Sequence, residues 1–199
     1  MKIKICGLRR PQDIRAVNEY EPDYVGFVIN YSRSHRNVSP ERVYELTEQL
    51  LPSISVVGVT VNQPLKFNIG LLEDGIVDIV QLHGDESDDY IRALQKETEK
   101  PVWKAFRIRT QADLERAKQS PADLVVLDNG MGTGEAFDWT LIRDIGRPFV
   151  LAGGLTIQNL KDTAAMQPYA VDISSGAETN KQKDPGKIRT LIEIARRLP

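Results

Sequence analysis

The chain has 199 residues, enough for one domain with a full core or at most two small ones. Hydrophobic residues make up 41% and charged residues 27%, with a net charge of −2 and no basic block or acidic tail, so neither a nucleic-acid patch nor a charged tail is expected. No apolar run approaches the roughly 18 residues of a membrane span, and a single cysteine excludes an internal disulfide and any cysteine-based zinc site.

The opening, MKIKICGLRR, has no apolar stretch of the secretory kind, so a reducing cytoplasm is the expected compartment. Within it KIKIC (2–6) alternates strictly and reads as a strand. Pro11 starts a helical pattern with Ile14 and Val17 on one face. DYVGFVI (23–29) is the second strand, and Ser39 caps a helix that Pro40 opens. SVVGVTV (55–61) is the third strand, followed by a helix over 64–74. DIVQLHG (78–84) is the fourth, followed by an acidic-started helix over 86–98.

The rhythm repeats in the second half. VWKAFRI (102–108) is a strand, with a helix over 110–118. DLVVLDNG (123–130) is nearly all apolar, as in a strand buried on both faces, and FDWTLIRDI (137–145) carries a helix. PFVLAGG (148–154) is the seventh strand, and Thr156 caps a helix over 156–166. AVDISSG (170–176) is the eighth strand. Pro185 to Leu198 closes the chain as a helix with Ile188, Leu191, Ile192 and Ala195 on one face.

Eight strand–helix alternations predict a parallel sheet, and eight is the number that closes a (β/α)8 TIM barrel. The competing reading is an open doubly wound sheet, but no glycine-rich dinucleotide loop follows strand 1. One compact domain over 1–199 is expected, at the short limit for this barrel.

In such a barrel the chemistry sits where strands end. The ends carry Cys6-Gly7, the segment 30–39, Asn62, Gln81 with His83 and Gly84, Arg107, Asp128, Gly153-Gly154, and Ser174-Ser175-Gly176. The last two turns suit a phosphate, because glycine lets backbone approach an anion and serine adds donors; read more plainly, they are tight turns. Asp128 is a candidate general acid, or else it caps the glycine loop that follows.

Cys6 is a candidate thiol base, or else a small buried hydrophobe. Alternation sends Lys2, Lys4 and Cys6 one way and Ile3 and Ile5 the other, and since lysines fit poorly inside a barrel or under its helices, facing does not decide. Arg33 and Arg36, in SRSHRN, are loop cations, either of which could take a substrate carboxylate. His83 could be acid or base but reads more simply as packing. Two histidines, 35 and 83, make a histidine-rich metal site unexpected.

Taken in order, the motifs resemble the phosphoribosylanthranilate isomerases of tryptophan biosynthesis. They are KICGL at the start, GF, S-x-R-x-VSP at 34–40, VGV at 57–59 and QLHG at 81–84. LD with GxGTGxxFDW through 127–139 follows, then LAGGL at 151–155, VDISSGxET from 171 and KDPGKI to 188. The resemblance implies an Amadori rearrangement of N-(5-phosphoribosyl)anthranilate without cofactor or metal. Cys6 would be the general base and Asp128 the general acid. Arg36 would contact the anthranilate carboxylate, and Gly153, Gly154, Ser174, Ser175 and Gly176 would lie in the phosphate-binding turns. Gln81 and Asp172 fall in matching motifs without an assigned role.

The partner implied is a small phosphoribosyl substrate, with no nucleic acid or membrane; a monomer is expected, with a homodimer as the alternative. Two departures stand out: SHRN replaces the family's SPRY around the arginine, and VGVT replaces VGVF. A histidine-pathway isomerase would carry an aspartate in place of Cys6, and an inactive binding barrel would have no need of Cys6 and Asp128 together.

Overall fold

The structure, a computed structural model, describes residues 1–128, 139–142 and 145–199. Eight parallel strands form one ring: β1 (Lys2–Cys6), β2 (Tyr24–Ile29), β3 (Ser55–Thr60), β4 (Ile79–Leu82), β5 (Val102–Arg107), β6 (Leu124–Asp128), β7 (Phe149–Leu151) and β8 (Ala170–Ile173). Each pairs with its sequence neighbour, and β8 and β2 both pair with β1, so the sheet closes. The closed (β/α)8 barrel replaces the open-sheet alternative.

Outside the ring lie α1 (Pro11–Tyr20), α2 (Pro40–Thr47), α3 (Leu65–Glu73), α4 (Asp88–Thr98), α5 (Gln111–Gln119) and α6 (Pro185–Arg196). Their starts follow the side-chain chemistry. Ser39, Ser87 and Thr110 each accept a hydrogen bond from a backbone amide of the first turn, and Pro11, Pro40 and Pro185 open α1, α2 and α6. No helix among the described residues is long and apolar enough to cross a membrane.

Two apolar layers result. Ile3, Ile5, Val25, Val80, Val125, Leu151 and Val171 join the helices in the outer core, while Val57, Ile79, Trp103, Val126, Val150 and Ala170 fill the barrel. With Ile3 and Ile5 in the outer core, the pleat sends Lys2, Lys4 and Cys6 inward. That settles the facing that alternation alone left open.

The structure departs from the sequence reading mostly at strand tails. β4, β7 and β8 end at Leu82, Leu151 and Ile173; the amides of His83 and Ala152 still donate to the Thr60 and Leu127 carbonyls of the adjoining strands, whereas Gly84, Gly153, Gly154 and 174–176 lie beyond the strands. Thr156 is not a helix cap: its amide donates to Asn159 Oδ1 at 2.8 Å, and the segment is a 3-10 helix over Leu160–Met166. The helix expected over 137–145 falls mostly outside the described residues, which place a 3-10 turn at Trp139–Ile142. The glycine loop 129–134 also lies outside them.

Small elements that were not anticipated are a 3-10 turn at Ser175–Ala177 and two short strand pairings. Asn37–Val38 adds to the edge of β2, and Glu178–Thr179 pairs antiparallel with Gln182–Lys183. Asn180 and Lys181 join this hairpin with φ of 52° and 59°, the left-handed pair that a tight two-residue turn demands.

Candidate active site

The rim formed by the strands' C-terminal ends collects the candidate residues. Cys6 ends β1 and is buried beneath it, 7% exposed. Gly7 follows at φ +86°, donating from its amide to the Gly26 carbonyl at 2.8 Å. A Cβ there would lie 2.3 Å from Arg36 Cδ. Gly7 therefore both turns the chain and lets the Arg36 side chain lie across it.

Gly26, beside Cys6 on β2, has a comparable role. A Cβ on it would lie 2.7 Å from Cys6 Sγ and 3.0 Å from Lys4 Nζ, so the missing side chain is the space both groups occupy. Lys4 is fully buried and donates to Asp172 Oδ2 at 2.7 Å, and its Nζ shares the space over Gly26 with the Cys6 sulfur. Burial pushes the Cys6 thiol up by more than Lys4 pulls it down, so the free site holds mainly thiol at neutral pH.

Asp128 ends β6, three strand positions from β1 around the ring, and is 8% exposed. His83 Nε2 stands 3.4 Å from its Oδ2, although the sequence suggested mere packing for this histidine. The turn that holds His83 is fixed from behind. Glu86 accepts from the amides of Gly84 at 3.0 Å and Asn62 at 2.7 Å, and from buried Lys104 at 2.9 Å. Gln81 lies inside the barrel with its Oε1, like Asp172 Oδ1, unpartnered among the described residues.

Arg36 is half-buried, while Arg33 is exposed. The Arg36 guanidinium is forked on Glu178, Nε to Oε1 and Nη2 to Oε2, both at 2.7 Å. Buried Lys183 donates to Glu178 Oε1 at 2.7 Å and to the Ser174 carbonyl at 2.9 Å, and His35 Nε2 lies 3.7 Å from Oε2. Burial alone would raise the Glu178 carboxyl, but Arg36 and Lys183 overcome it and hold it at about 2. Neither Glu178 nor Lys183 was a sequence candidate; the signal was Glu-to-Lys pairing across a hairpin whose turn, Asn-Lys, lacks the usual glycine.

The two glycine-rich turns meet. Gly153 and Gly154 have φ of +89° and +64°, and a Cβ on Gly176 would lie 1.9 Å from the Leu155 carbonyl oxygen. Ser174 is committed differently from the expectation of a free donor: its hydroxyl donates to the Cys6 carbonyl at 3.1 Å, tying β8 to β1. Among the described residues no cluster of histidine, cysteine or acidic side chains could hold a metal ion.

The family model for N-(5'-phosphoribosyl)anthranilate isomerase matches residues 3–194. A protein of that name from Thermoanaerobacter pseudethanolicus is 40% identical, over 98% of each chain. A crystal structure of phosphoribosyl anthranilate isomerase in complex with reduced 1-(o-carboxyphenylamino)-1-deoxyribulose 5-phosphate superposes with a TM-score of 0.88 at 33% identity, covering 100% of both chains. A structure of monomers generated from the dimeric Thermotoga maritima enzyme gives 0.88 at 34% identity, again over 100% of both.

Proposed function

The chain belongs to the N-(5'-phosphoribosyl)anthranilate isomerase family, and we propose how its own residues divide that family's chemistry. The activity is the isomerisation of an aldose derivative to a ketose derivative in tryptophan biosynthesis. The residue roles are our reading. One observation carries it: Cys6 and Asp128, the thiol and carboxyl that the sequence singled out, end strands on the same rim of one barrel.

The substrate is an N-glycoside whose ring must open before the sugar can isomerise. Asp128, protonated, donates to the ring oxygen as the C1–O bond breaks, and the electron pair on nitrogen forms the C1=N bond of an iminium ion. The positive nitrogen acidifies the C2 proton. Cys6, as thiolate, takes that proton; the C2–H pair becomes a C1–C2 double bond, and the C1=N pair returns to nitrogen. The enolamine then loses its O2 proton and gains one at C1, which leaves the amino-ketose. Asp128 is by then a carboxylate and Cys6 a thiol; the O2 proton returns to Asp128 and the Cys6 proton passes to C1, so this tautomerisation resets both. Each proton transfer contributes typically about 10²–10⁴-fold.

The turns at 153–154 and 174–176 would hold the phosphate through backbone amides. Arg36 would receive the anthranilate carboxylate on its outer, Nη1 side, since Glu178 fills the Nε–Nη2 edge. We read residues 1–199 as one barrel unit and the protein as a monomer, with a homodimer as the alternative. A thiol base suits the reducing cytoplasm.

Cys6→Ser and Asp128→Asn test the division of labour, using substrate generated in the assay. Both should fold and lose about 10²–10⁴-fold in kcat with KM nearly unchanged. A Cys6→Ser enzyme within a few-fold of the parent, or a loss in Asp128→Asn confined to KM, would refute the assignment.

A further inference from the structure

Lys4 is the one fully buried lysine among the described residues, and the proposed reaction leaves it without a task. An ammonium in a barrel interior is costly unless paired. Its partner is explicit: Lys4 and Asp172 sit opposite each other on β1 and β8, and Nζ meets Oδ2 at 2.7 Å. A lysine–aspartate pair serving only stability could be replaced by apolar side chains at little cost. The site spends more on this one. β2 carries glycine at position 26, inside a strand, where a side chain would strike both Lys4 Nζ and Cys6 Sγ. That gap brings the ammonium to the sulfur.

We propose that Lys4 is a positioning residue whose ammonium acts as counter-ion to the Cys6 thiolate, with Asp172 opposing it and so limiting the charge that Cys6 feels. The inference rests on the reading of Cys6 as the base. Among the described residues, these are the charged groups that act on the sulfur. β1 brings Lys4, β8 brings Asp172, the hairpin brings Lys183, and β2 brings no charge at Gly26. Lys183 is answered by Glu178 at 2.7 Å, so its effect on the sulfur is muted. Lys4 pulls the thiol's ionisation down more strongly than Asp172 pushes it up.

The arrangement suits a base that must be neutral thiol after each proton transfer. A lone cation would trap the thiolate and weaken it as a base, whereas a cation already shared with Asp172 stabilises it only in part.

Because Cys6 is the sole cysteine, the ultraviolet absorbance of its thiolate can be titrated directly, with Cys6→Ser as blank. Lys4→Met should raise the ionisation midpoint by about one pH unit or more. Lys4→Met/Asp172→Asn, which replaces an ion pair by a neutral pair of similar shape and so remains foldable if the single variant is not, should lie between Lys4→Met and the parent. In both, kcat should fall near neutral pH and recover toward alkaline pH as thiolate forms, a rescue that a merely structural role would not give. A midpoint in the double variant at or below the parent's overturns the proposal. A raised midpoint with an unchanged kcat profile would uphold Lys4 as counter-ion and remove Cys6 from the role of base.

Discussion

Gly176→Ala probes the join between the two glycine-rich turns. The added methyl carbon would lie 1.9 Å from the Leu155 carbonyl oxygen, 3.0 Å from its carbon and 3.2 Å from Thr156 Cα. All three are backbone atoms, so no side chain can rotate away. Opening the contact from 1.9 Å to the 3.4 Å at which ordinary contact begins moves one turn by about 1.5 Å relative to the other. A phosphate held by both turns would then lose at least one charge-assisted hydrogen bond, worth about 1.5–3 kcal/mol. At 1.4 kcal/mol per decade that is roughly a 10- to 100-fold weaker grip.

The assay is steady-state KM together with competition by inorganic phosphate, which reports the anion site without the chemistry. Both should weaken by the same factor, with kcat changed far less. The strain should also cost about 1–3 kcal/mol of stability. Gly70→Ala is the control. Its site in the middle of α3 has only Asp74 Oδ2 nearby, at 3.9 Å, and alanine there should leave activity intact and raise stability by about 0.5–1 kcal/mol. A folded Gly176→Ala enzyme that binds phosphate like the parent would show that the anion sits elsewhere.

Two further outcomes concern the Arg36–Glu178 fork. Arg36→Ala should weaken a carboxylated product analogue roughly 10- to 100-fold and its amide counterpart little, Arg36→Lys should recover part of the loss, and exposed Arg33→Ala should behave like the parent. Equal losses for both analogues would remove the carboxylate contact from Arg36. The Glu178 carboxyl is depressed from 4.5 to about 2, so its contribution to stability is full above pH 4.5 and is lost as pH falls toward 2. Chemical denaturation from pH 5 down to pH 2 should therefore show a shallower loss for Glu178→Gln than for the parent; parallel curves would mean that the fork does not stabilise the fold.

Much of the barrel was legible because its strands obey local rules. Val125 to Leu127 read as a strand buried on both faces, and Ser39-Pro40 read as a helix start, without knowledge of any distant residue. The helix start at Thr156 failed because its backbone amide donates to the Asn159 side chain three residues on, and the segment tightens to a 3-10 helix over Leu160–Met166. The strand ends were drawn too long for a related reason. Apolarity continues through Ala152 and Ile173, but Gly153, Gly154 and Ser174 spend their backbone on turns rather than on the ladder.

Cys6 and Asp128 were legible as candidates because a strand end is a position along the chain. Lys4 was not, because its meaning is a relation between strands. Alternation placed it on the same face as Cys6, and a lysine there looks like an error in the pattern. It becomes sensible only once the β1–β8 register sets it opposite Asp172 and the β1–β2 register sets Cys6 opposite Gly26. The registers join residues 168 positions apart, Lys4 and Asp172, and 20 apart, Cys6 and Gly26, and no periodicity within one segment carries that information. The same holds for Arg36 and Glu178, 142 positions apart, which only the closed ring brings together. A buried charge that breaks a strand's apolar pattern therefore points across the sheet, and its neighbours on the adjoining strands are the residues to substitute with it.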